Sequence, residues 1–200
     1  MTAAFDTFMA QYNQTGSEKA DGYTRDAFEG LTDSEKETVF QLLESELPYS
    51  TEWLFFVDPL RALATVKETE QKMRGDSFEH VFLLQEYLVK YSGDLVYQDH
   101  LIEDYPVYVD RLKPLVVDAV ARTPANENTV GFFKKLILTE TNKSAANRAA
   151  QWLLMTTEFA TGADADERRY LDLVDQLTDP DFDVRRHIVA RLDMAGKIVY

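Results

Sequence analysis

Cysteine is absent from these 200 residues. That absence removes disulfide staples, thiolate zinc sites and cysteine nucleophiles together. Histidine is scarce: His80, His100 and His187 are the only three, with no HExxH and no closely spaced pair, so a transition-metal site is not expected. The eight glycines stand singly, which excludes a glycine-rich phosphate loop, and no GxSxG marks a serine hydrolase. Long hydrophobic runs are missing too. Trp53 to Val57 and Leu136 to Leu138 are among the longest, far short of the roughly 20 residues a bilayer span needs. The first residues lack a basic segment followed by an apolar core, so no secretory signal is expected and the cytoplasm of a bacterium-like cell is the expected place. No apolar/polar alternation or Asn-Gly turn suggests a hairpin of strands.

Basic residues are also few. Against 35 Asp and Glu stand 21 Lys and Arg, a formal net charge of −14. Residues 1–100 hold 19 acidic and 8 basic residues; residues 101–200 hold 16 and 13. Such a field repels phosphate backbones and anionic lipid, so neither a nucleic-acid nor a membrane partner is expected, and a basic protein is.

What the chain does have is helical spacing. Residues 3–12 read as a first helix, followed by a small, polar linker over 13–24. In 35–47, Val39, Leu42, Leu43 and Leu47 recur at steps of three and four, Thr32 and Glu35 have capping-box spacing, and Pro48 is the expected stop. In 58–75, Asp58 is the expected N-cap, Pro59 the first helical residue and Gly75 the stop, with Leu60, Leu63, Ala64 and Val66 as the inner face. Ser77 is expected to cap the next helix, which ends at Gly93. Residues 95–124 read as two helices, with Pro106 opening the second and Pro114 kinking or dividing it. Further helices follow over 128–140, 145–162 and 167–177. The expected fold is all-α, one domain over 1–200, with residues 1–22 the part most easily set apart.

Residues 177–195, LTDPDFDVRRHIVARLDMA, contain Asp179, Asp181 and Asp183 at the alternate spacing of a calcium loop. An EF-hand loop also needs Gly at its sixth position and Glu at its twelfth; here those are Val184 and Ala190. The alternative is a helix capped by Asp179, with Val184, Ile188, Leu192 and Ala195 as a stripe against Leu171, Val174 and Leu177 of the helix before. From Tyr170 to Ala195 the chain resembles a HEAT-type repeat: an Asp-Pro turn, the Val184-Arg185 pair, then Ile188 and Leu192. VDPLRALATV (57–66) echoes the turn with Leu60-Arg61 in place of Val-Arg. The resemblance implies an irregular α-solenoid, a HEAT-like stack of antiparallel helical hairpins that binds a partner along one face. In size, charge and helical content the chain is also similar to the small acidic all-helical immunity proteins of bacterial toxin systems.

Two segments point to binding. In 20–40, Asp26, Glu29, Asp33, Glu35 and Glu37 interleave with Tyr23, Phe28 and Phe40, a composition suited to a Lys/Arg-rich protein surface. In 50–59, Trp53 to Val57 is an unbroken apolar run that one helix cannot bury against one neighbour, so it is an interior helix or an interface. The paired carboxylates Asp164 and Asp166 in 162–170 read as a loop and helix start. No residue set identifies a catalytic group or a cofactor. The expected function is a non-enzymatic protein-binding module, concretely an immunity-type inhibitor of a basic toxin enzyme, with Asp26, Glu29, Asp33, Glu35, Glu37, Tyr23 and Trp53 contacting the partner. Its rivals are a carboxylate enzyme or small-ligand binder in a helical cavity, and a scaffold that oligomerises near Trp53 or at 198–200.

Overall fold

The structure is a computed structural model that describes residues 1–15, 22–156 and 167–195. Among the described residues it is all-helical, with eleven α-helices, two short 3-10 helices and no strand. No helix among them is long and apolar enough to cross a membrane. Residues 16–21 of the linker 13–24, the acidic pair Asp164 and Asp166 and the C-terminal segment 198–200 lie outside the described residues. The chain forms two compact units, Met1–Met73 and Arg74–Tyr200.

The first unit holds α1 (Ala3–Tyr12), a 3-10 helix (Arg25–Ala27), α2 (Asp33–Glu44), α3 (Thr51–Val57) and α4 (Pro59–Met73). Thr2 caps α1 by accepting the Phe5 N–H at 3.1 Å. Thr32 and Glu35 form the expected capping box of α2. Asp58 caps α4, accepting the Arg61 N–H at 3.0 Å, with Pro59 at the first helical position. Two expectations are corrected here. Helix α2 ends at Glu44, four residues before Pro48, and turns occupy 45–50. The inner row of α4 is Ala62, Val66 and Glu70, while Leu60 is 86 % exposed. That row continues into the last turn of α4, where Glu70 is buried. Helix α3 is only partly interior, since Leu54 and Phe55 are buried but Phe56 is 41 % exposed.

The second unit holds α5 (Val81–Ser92), α6 (Val96–Asp104), a 3-10 helix (Tyr105–Val107), α7 (Lys113–Ala121), α8 (Glu127–Thr139), α9 (Lys143–Met155), α10 (Glu167–Leu177) and α11 (Phe182–Ala195). Helix α5 starts at Val81 and not at Ser77, because Asp76 turns the chain first by accepting the Phe78 N–H at 2.9 Å. It ends, as expected, at left-handed Gly93 (φ 70°). Pro106 opens only the 3-10 turn; Pro114, in the first turn of α7, is where the helix begins. The core joins Val116, Val117 and Val120 of α7, Phe133 and Ile137 of α8, and Ala149, Ala150 and Leu153 of α9. The small residues of α9 let it lie close to both α7 and α8.

Helices α10 and α11 pack as the expected hairpin, through Leu173, Val174 and Leu177 against Ile188, Val189 and Leu192. Two details differ. Leu171 is exposed, so the inner face of α10 is turned toward Leu173. Asp179 makes a turn, accepting the Asp181 N–H at 2.7 Å, and Asp181 is the residue that caps α11, accepting the Asp183 N–H at 2.8 Å. Asp179 and Asp181 are thus spent on the backbone N–H groups of Asp181 and Asp183, and no group of three metal-ligating side chains occurs among the described residues.

Candidate functional site

The two segments singled out for binding meet in the first unit. Phe28, at the end of the 3-10 helix, stacks on Trp53 of α3 with ring centroids 4.8 Å apart and planes at 6°. Phe56, one helical step on from Trp53, meets both rings edge-on, at 5.7 Å from Phe28 and 6.0 Å from Trp53. Tyr23 lies edge-on to Trp53 at 6.2 Å and stacks on Phe8 of α1 at 5.2 Å. Phe8 and Phe28 are buried, Tyr23 and Trp53 half-buried, and Phe56 exposed. The cluster therefore runs from the core of the unit to its surface. Asp26, Glu29 and Glu52, each within two residues of one of these rings, are exposed.

The other predicted carboxylates are placed differently. Glu35, only 9 % exposed, faces inward: it accepts the Thr32 N–H at 2.9 Å and the Thr2 N–H at 2.7 Å, joining the starts of α1 and α2. These N–H groups hold its carboxyl down at about 2. Glu37 accepts from both terminal nitrogens of Arg61 and from Gln41 at 2.8 Å, and the Arg61 hydrogen bond holds its carboxyl below the ordinary carboxylate value. The Arg61 guanidinium in turn lies over the Phe40 ring, 4.0 Å from its centroid. Asp33, exposed, is 3.8 Å from Lys36. Asp33, Lys36, Glu37, Phe40 and Asp58 line a recess of about 200 Å³. The predicted set thus divides into Tyr23, Asp26, Glu29 and Trp53 at the aromatic cluster, Asp33 and Glu37 at the recess, and Glu35 inside. The Tyr23 hydroxyl donates to Glu46, and burial pushes its ionisation well above the ordinary tyrosine value, with Glu46 adding to the shift.

A feature that sequence reasoning missed lies in the second unit. A groove of about 340 Å³ is lined by Ile102, Tyr105 and Pro106, by Lys113 of α7, by Gly131, Phe132, Lys135, Leu136 and Thr139 of α8, and by Glu140. Glu140 accepts the Tyr105 hydroxyl at 2.7 Å and the Thr141 and Asn142 N–H groups at 2.8 Å each. Lys113 Nζ is 3.6 Å from it and 3.2 Å from Asp110. Burial pushes the Glu140 carboxyl up, but the Asn142 N–H, the Tyr105 hydroxyl, the Lys113 ammonium and the Thr141 N–H outweigh it and hold it below the ordinary value. Burial also raises the Tyr105 hydroxyl, as does its bond to Glu140. The only sequence trace of this groove is a glycine, Gly131, inside the helical spacing of 128–140.

The fold defines an all-helical protein whose exposed cluster of rings and carboxylates is in the first unit. The chain matches no protein-family model, no curated protein and no solved structure.

Proposed function

We propose that the chain is a non-enzymatic protein-binding module that docks a basic protein surface onto the aromatic cluster of its first unit, in the manner of an immunity-type inhibitor. The observation that carries this reading is the partly exposed stack of Phe28, Trp53 and Phe56, with Asp26, Glu29 and Glu52 beside it. Rings that reach the surface supply anchor area, and carboxylates around them steer and orient a cationic partner. Residues 1–73 carry 14 acidic and 6 basic residues, so the field over this unit is strongly negative. Glu37 plays the smaller part, because Arg61 already occupies it.

The architecture is read as a HEAT-like stack. Two features support this within the second unit. Helices touch both the next helix and the next but one, α5 with α7 and α7 with α9. Arg185, of the Val-Arg pair, donates at 2.7 Å to the Ile137 carbonyl, which lies in the last turn of α8 where carbonyls lack helical partners. The rival of a carboxylate enzyme would gain support from a pocket carboxyl raised toward neutral pH, and in the groove of the second unit Glu140 is shifted the opposite way.

The test is to co-express the chain with the product of the adjacent gene and to measure both growth and complex formation. Binding that weakens steeply with salt, and weakens further in D26K/E29K and in F56A, supports the reading. A neighbouring product that is neither toxic nor bound by the chain at low ionic strength refutes it.

A further inference from the structure

We infer that the groove of the second unit is a binding site for a small amphipathic carboxylate: an aromatic or branched hydrocarbon body resting on Phe132 and Leu136, its carboxylate on the Lys135 ammonium. This stands apart from the basic-partner reading, which concerns the first unit.

Size and lining come first. At about 340 Å³ the groove is within the range of small-molecule sites, roughly 300–1,000 Å³, and it is walled mainly by carbon, with few polar groups placed to orient a ligand. Charge selects the sign of the ligand. Two ammonium groups, on Lys113 and Lys135, stand against the single carboxylate of Glu140. Lys113 is taken: it lies between Glu140 and Asp110, its side chain 16 % exposed. Glu140 is taken as well, one oxygen receiving two backbone N–H groups and the other the Tyr105 hydroxyl. Lys135 is exposed, and among the described residues no carboxylate lies within 4.0 Å of its ammonium. In so acidic a chain, where Arg61, Lys72, Arg74 and Arg122 all have carboxylate partners, that leaves a cation beside an apolar wall.

Gly131 is the independent observation. It lies one helical turn before Lys135 in α8, on the same row, with ordinary helical backbone. A Cβ built there would meet nothing within 4 Å. Neither backbone geometry nor packing requires a glycine, and glycine weakens a helix interior relative to alanine. Space kept open above α8 for a ligand body accounts for it.

The experiment uses the full chain labelled with ¹⁵N and titrated with phenylacetate, 2-phenylethanol and inorganic phosphate in parallel. Phenylacetate is expected to shift the amides of Gly131, Lys135 and Thr139 and to saturate with Kd on the order of 1–10 mM, suited to so small a ligand. K135Q should weaken it about tenfold, the effect of losing one charge-assisted hydrogen bond. G131M should abolish the shifts while leaving helical content intact, since methionine is the better helix former. No saturable shift, an unchanged affinity in K135Q, or equally tight binding of the neutral alcohol would each overturn the assignment. Phosphate shifting the same amides as strongly as phenylacetate would overturn it too, by showing that the apolar wall contributes nothing.

Discussion

The reading of Phe56 as a surface anchor makes a quantitative demand on its neighbour Phe28. Phe28 is 5 % exposed and contacts four rings, those of Phe8, Tyr23, Trp53 and Phe56. Truncating it removes a buried ring and leaves a cavity, so F28A is expected to cost about 3–5 kcal/mol. Phe56 is 41 % exposed and makes two edge contacts. Full burial of such a side chain contributes about 1.5–3 kcal/mol, and somewhat over half of its surface is covered. No cavity opens on a surface that water can fill, which puts F56A at about 1 kcal/mol. The assay is urea unfolding followed by tryptophan fluorescence in a W152F background, where Trp53 reports on the first unit alone. With a slope of about 2 kcal/mol per M, the midpoint should fall by roughly 2 M for F28A and roughly 0.5 M for F56A. Equal costs would refute the reasoning, because Phe56 would then be a core residue and no anchor for a partner.

Three further outcomes are expected. The Glu35 carboxyl, at about 2 when folded against 4.5 ordinarily, contributes stability that is fully present above pH 4.5 and is lost as the pH falls toward 2; an acid titration of the same fluorescence should show that loss, and E35Q should flatten it. G131A should raise stability by about 0.5–1 kcal/mol, visible as a higher melting temperature by circular dichroism, since the added methyl meets nothing. Asp104 accepts Arg74 Nε at 3.0 Å and Gln85 Nε2 at 2.7 Å while largely buried, so D104N should cost about 2 kcal/mol in chemical denaturation, below the loss for a fully buried pair because Arg74 is 30 % exposed.

Signals carried by neighbouring residues were legible in the chain. The first helix falls at residues 3–12 as its spacing predicts, and the Thr32/Glu35 box, the Asp58-Pro59 start and the Gly93 stop all act as their chemistry dictates. What depends on a distant neighbour was not. The inner face of α4 follows Ala62 and Val66 and continues through Glu70, a glutamate that hydropathy assigns to water, while Leu60 is left outside. Periodicity counts apolar residues but does not say which side a partner helix takes. The same limit hid the site. Tyr23 and Phe28 are some 25–33 residues from Trp53 and Phe56, and only tertiary packing stacks them. Glu35 is the instructive case: its capping-box spacing already committed it to the start of α2, and that role competes with any surface role.

Ion pairing accounts for both proposed surfaces. Across the described residues, cations of this acidic chain tend to be held close: Arg61 by Glu37, Arg74 by Glu103 and Asp104, Arg122 by Glu86. Pairing of that kind cancels the field at short range but cannot remove a surplus, which for residues 1–73 is eight carboxylates. Self-repulsion from a surplus works against the compact state, and solubility alone is met by a net charge of about 2–8 on a small domain. The surplus of the first unit stands at the upper end of that range, and its place next to exposed rings is what the proposed cationic partner would use. Lys135 is the mirror case, a positive charge beside an apolar wall in a chain with carboxylates to spare. On the two proposals, charge and exposed carbon coincide at each surface, and the partner to be sought is cationic for the first unit and anionic for the second.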